Sequence, residues 1–261
     1  MIRTHVSRAL RVCAFAVIGG IAASSNASAQ ITNCASLPNY GALKLALDAA
    51  VAAESSGFNL QMWATIVDRD GIVCAVAFSG TDRGAQWPGS RVISAQKANT
   101  ANAFSLQGLA LSTGNLYSAV QPGGSLFGLQ ESNPVNTVAA YGGSATLYGT
   151  GSDPMMTQKI GGINVFGGGL GLYGPGRVLM GGVGLSGDTS CADHNVAWRM
   201  RDALRLNKVP AGVNPNRKDA IVFDLGVDGK SASGFGHVKC AGDEADIADE
   251  LAAGVGGQSL K

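Results

Sequence analysis

Apolar positions along the chain fall into two periods, and the change between them marks out the elements. Leu43, Leu47, Ala50, Val51 and Ala53 recur at three- to four-residue steps, which predicts a helix over 41–56 with Gly57 as its stop. Residues 60–67 and 72–78 are rich in β-branched and apolar side chains and flank Asp68-Arg-Asp-Gly71, a turn whose glycine can take positive φ. A hairpin is expected there. The polar loop over 79–89 holds Asp82, Arg83 and Trp87-Pro88, and Ser90 is of a type that caps helices, here one carrying Arg91 and Lys97. Two further strands are predicted over 161–173 and 177–185, joined at Gly174-Pro-Gly176. Asp188 can then cap a closing helix over 193–206.

Two stretches do not share this regularity. Residues 105–160 are rich in Gly, Ser and Asn, with turns at Gln121-Pro-Gly-Gly124 and Asn133-Pro134, and read as a long insertion. Ordered insertions of this length serve either as plain surface or as lids and binding segments. Residues 207–261 form a C-terminal extension, with an added strand expected at 221–224 and a short acidic helix at 241–251.

The first thirty residues belong to a different kind of segment. Arg3, Arg8 and Arg11 precede an apolar run over 12–23, and Ala27-Ser28-Ala29 is a small-residue cleavage site before Gln30. The run is short of the ~20 apolar residues that span a bilayer, so a cleaved secretory signal is expected and a secreted or periplasmic location follows. Removing residues 1–29 leaves 16 Lys and Arg against 18 Asp and Glu, a formal charge of −2. No nucleic-acid footprint is present. One elaborated domain is expected over 30–206, and its low charge and many glycines favour burial in a homo-oligomer.

Four cysteines remain after the leader, an even count that favours disulfides in an exported chain. Three pairings are possible. Cys191–Cys240 would fasten the extension to the domain, and Cys34–Cys74 the N-terminal arm to the second strand; the other two arrangements stay open. A zinc site is the competing reading, but the spacings contain no Cys-x-x-Cys and only His194 and His237 are left as histidines.

Several catalytic patterns are absent or incomplete. Ser186 and Ser125 do not sit in G-x-S-x-G, and no H-E-x-x-H occurs. Gly182-Val-Gly-Leu-Ser-Gly187 does satisfy G-x-G-x-x-G after a strand. It comes late in the chain with no series of βαβ units, so close approach of backbone to helix or ligand explains it better than a dinucleotide.

Trp63-Ala-Thr-Ile-Val-Asp-Arg-Asp-Gly71, Ser94-Ala-Gln-Lys97-Ala98-Asn-Thr-Ala101, Ile160-Gly161-Gly162-Ile163 and, last, that glycine segment follow one another in an order that resembles the GlcG/HbpS-like family, the haem-degrading domains. The resemblance implies an α/β (α+β) fold, a profilin-like antiparallel sheet of about five strands flanked by helices. It also implies haem, or another small anionic ligand, in an apolar pocket. The expected ligand-binding residues are Lys97, Arg91, Arg83, Gly161, Gly162, Gly187 and His194, with carboxylates held by basic groups and by free N–H groups at a helix start. Haem iron takes His, Met, Cys or Tyr, and His194 is the candidate metal ligand, set against a plain capping histidine. Lys97 is read against a solvated lysine with a packed stem. A binding protein is favoured over a classical enzyme; any turnover would be oxidative haem degradation. A second reading is a periplasmic accessory protein with a redox partner acting on small hydroxy acids or alcohols, and a third is a non-catalytic structural oligomer.

Overall fold

In the computed structural model, which describes residues 33–214 and 217–254, the predicted hairpin is the centre of the molecule. Strands β1 (Trp63–Asp68) and β2 (Val73–Phe78) are buried along nearly their whole length, because each face of the sheet is covered. The chain runs antiparallel in the order β2-β1-β4-β3, with β3 over Gly169–Tyr173 and β4 over Leu179–Ser186. Four strands form where about five were expected. Gly161 and Gly162 take positive φ, which breaks extended pairing before residue 169, and 221–224 contributes no ladder strand.

Alternation along β1 splits the core. Ala64 and Ile66 join Ala75, Ala77, Val183 and Leu185 beneath helices α1 (Tyr40–Ala52) and α4 (Ser190–Ala203). Trp63 and Val67 face the other way, onto Ala95 and Ala98 of α2 (Ser90–Phe104) and onto Met155 and Ile160 of the insertion. Helix α2 lies unusually close to β4. A Cβ at Gly184 would stand 2.0 Å from the Ser94 carbonyl oxygen, and one at Gly182 would stand 2.3 Å from that of Ala98. The first two glycines of the G-x-G-x-x-G pattern therefore serve helix-on-strand contact.

Helix ends differ from the sequence expectation in detail. Ser90 is the first residue of α2, behind Gly89, and its hydroxyl receives a bond from Ser186 Oγ. Thr189, not Asp188, caps α4 by accepting from Ala192 N. Asp188 accepts instead from Phe58 N and Leu60 N, tying the approach to β1 onto the start of α4. The insertion folds as 3-10 turns and one short helix, α3 (Thr137–Tyr141).

Cys34 is joined to Cys74 and Cys191 to Cys240. The second bridge pins an extension that is otherwise irregular up to α5 (Glu244–Ala252). No helix among the described residues is long and apolar enough to cross a membrane. The leader and its cleavage position after Ala29 lie outside the described residues.

Candidate functional site

A cleft of about 530 Å³ opens where the 79–89 loop, the start of α2 and the insertion meet. Its size is in the range of small-molecule sites. Its walls are Trp63, Pro88, Val92, Tyr141 and Tyr148, and its charged lining is Asp82, Arg83 and Arg91. The insertion thus supplies one side of the cleft, and packing holds it in place. Gly149 lies so close to Trp63 and Phe78 that a Cβ there would overlap both rings.

Arg91 organises that side. Its Nε and Nη2 donate to the two oxygens of Asp153 at 2.9 and 2.5 Å, and Nη1 donates to the Ala140 carbonyl oxygen at 2.8 Å. Its guanidinium carbon lies 3.7 Å from the centre of the Tyr148 ring. Asp153 also accepts from Gly149 N and Met155 N, so both ends of the 149–155 turn converge on one carboxylate. Arg91 is buried and three of its five N–H groups bond to the protein, whereas Arg83 is exposed and donates through Nη1 to the Ala145 carbonyl oxygen. Tyr148 gives its hydroxyl proton to the carbonyl oxygens of Tyr141 and Gly142, at 2.9 and 3.2 Å. Tyr141 itself is exposed at the cleft.

Lys97 is elsewhere. Its ammonium donates to Asp193 Oδ2 at 2.6 Å, and both side chains are buried between α2 and α4. Burial pushes the Asp193 carboxyl up to about 6, against the pull of Lys97 and of the Asp188 N–H on Oδ1. The expectation that Lys97 meets a ligand carboxylate is replaced in this structure by an internal carboxylate.

His194 is also internal. Its Nε2 accepts from Ile221 N at 3.3 Å, and burial lowers its pKa to about 3. The lone pair an iron would need is directed at the extension's backbone, so His194 is not placed as a metal ligand. His237 is sealed in the same way: Nε2 accepts from Gly167 N, Nδ1 lies 2.7 Å from the Val238 carbonyl oxygen, and burial lowers its pKa to about 4. Gly161 and Gly162 turn the chain beside Gln96 and Val135, and Gly187 packs on Gln61 and Met62; none of the three lines the cleft.

Of the expected ligand residues, then, the cleft brings together Arg83 and Arg91. Sequence reasoning missed Tyr141, Tyr148 and Asp153. For the two tyrosines the signal was the aromatic residues scattered through the insertion, and nothing local marked Asp153.

Among solved structures, Klebsiella pneumoniae protein ORFY is similar at 25% identity, over 64% of this chain and 90% of that one, with a TM-score of 0.43. The PduOC:Heme complex is similar at 23% identity, over 62% and 88%, with a TM-score of 0.43. A double mutant of Streptomyces reticuli HbpS is similar at 18% identity, over 76% and 99%, with a TM-score of 0.42. No curated protein matches the chain. The family model described as haem degrading protein HbpS-like matches residues 37–201, from the threshold of α1 to near the end of α4, and the chain belongs to that HbpS-like family.

Proposed function

We propose that the protein is an exported haem-binding protein, and that the macrocycle enters the cleft between α2 and the insertion. The observation that carries this reading is the lining itself: Tyr141 and Tyr148 offer flat aromatic surface beside the buried Trp63, and Arg83 offers a cation at its edge. A planar ligand with carboxylate arms matches that division. Membership of a family described as haem-degrading supports the same ligand. Two disulfides support an oxidising compartment, in keeping with the leader sequence. Exposed Leu45, Phe58, Trp87 and Val138 support association into a homo-oligomer.

Tyr141 is the side chain that would face the iron, since the Tyr148 hydroxyl is committed to backbone and both histidines accept backbone N–H groups. Bound haem would bring the redox chemistry that degradation needs. The chain's own part is to hold the ring between aromatic walls, anchor a carboxylate and keep Tyr148 in register through Arg91.

The test is a haem titration of the oxidised protein read in the Soret region. Saturable one-to-one binding is expected, shifted in band position by Tyr141→Phe and weakened by Tyr148→Ala. A featureless, non-saturable change identical in all three proteins would sink the reading.

A further inference from the structure

The cleft contains two arginines, and they are not equivalent. We infer that the site anchors its ligand by a single carboxylate, at Arg83, and leaves any second acidic group in solvent; this rests on the cleft proposed above as the binding site. Arg91 already carries a two-point bond to Asp153, a third bond to the Ala140 carbonyl oxygen and the Tyr148 ring over its face. Its charge is neutralised within the protein, and its side chain is 2% exposed. A ligand carboxylate seeking two-point contact there would compete with Asp153 for a buried, already paired cation, and displacing Asp153 would strand Gly149 N and Met155 N.

Arg83 is the complement. A guanidinium has five N–H donors, and the bond from Nη1 to the Ala145 carbonyl oxygen leaves most of them for a carboxylate in two-point geometry. That same bond holds the head group against the insertion. The next charge on the rim is Asp82, whose Oδ1 accepts from Gly84 N at 2.6 Å. A second carboxylate entering the rim meets that negative charge rather than another cation. Lys97 cannot serve either, because Asp193 holds it inside the protein. The ligand class is a flat, largely apolar molecule with one engaged acidic arm. Two adjacent propionates would be read as one.

Haem, its monomethyl ester and its dimethyl ester separate the cases by Soret titration. The monoester is expected to bind within about threefold of haem and the dimethyl ester about tenfold or more weakly, the scale of one charge-assisted bond. Arg83→Ala should weaken haem and monoester by the same factor and leave the dimethyl ester unchanged. Equal binding of all three, or a monoester as weak as the diester, would overturn the single anchor. Pyrenebutyrate and pyrenebutanol, followed by pyrene fluorescence, test the anchor without haem. Arg83-dependent preference for the acid, with no binding of haem, would retain the single-carboxylate site and reject haem as its occupant; no preference for the acid, with haem bound, would reject the anchor alone. Loss of both overturns both.

Discussion

Lys97 of α2 and Asp193 of α4 sit 2.6 Å apart, nitrogen to oxygen, with both side chains buried. Removing one charge leaves the other buried and unpaired. Lys97→Met is therefore expected to cost about 3–5 kcal/mol in urea unfolding. Lys97→Met combined with Asp193→Asn should recover a large part of that loss, because Asn keeps an acceptor for Asp188 N. If the double variant is no more stable than the single, the charge pairing is not what the site depends on.

Acid sensitivity follows from the buried histidines. His194 and His237 titrate at about 3 and about 4 in the folded protein, below the ordinary 6.5, because burial disfavours their charged forms. As pH falls from 6.5 toward 4, the unfolded chain takes up two protons that the folded chain refuses, and stability drops. Asp193, raised to about 6, works in the opposite sense, since its folded form binds a proton before the unfolded one does. The balance is near one proton, or about 1.4 kcal/mol per pH unit over that window. Thermal unfolding at pH 7 and 4.5 checks it. His194→Gln, which keeps an acceptor for Ile221 N and does not titrate, should flatten the dependence.

The helix-on-strand contact predicts an asymmetric response to one methyl group. Gly184→Ala places a Cβ against the Ser94 carbonyl oxygen and the Ala98 nitrogen, at 2.0 and 2.3 Å, so α2 must lift from β4. A loss of about 3 kcal/mol, at the upper end for overpacking, is expected from denaturant melts. Gly108→Ala meets nothing within 4 Å and should change stability little. Similar melts for the two variants would contradict the close contact.

The Cys191–Cys240 bridge spans 49 residues and secures the extension on α4. Replacing both cysteines by Ala is expected to remove roughly 2–4 kcal/mol, chiefly by freeing the unfolded chain. Protease cleavage should then begin in the extension, with the 37–201 region surviving longest. Cutting that starts within the sheet would show that the bridge does not act locally.

Most element types, the turn at Gly71, the helix carrying Lys97 and the glycine-lined strand are legible along the chain, because each follows from periodicity or backbone permissiveness within a few neighbouring residues, whereas 221–224 forms no strand. The sequence also carried the family, through four short motifs in order. What it did not determine was the state of each charged group. Arg91 finds Asp153 across 62 positions and Lys97 finds Asp193 across 96, and both pairings exist only because the sheet stacks distant segments together. The same stacking turns His194 toward Ile221 instead of toward a ligand, and brings Tyr141 and Tyr148 from an irregular insertion to the wall of the cleft. Burial and partner choice set whether a cation can reach a ligand, and it is the packing of distant segments that pairs Arg91 with a buried carboxylate and leaves Arg83 exposed, bonded to a carbonyl oxygen.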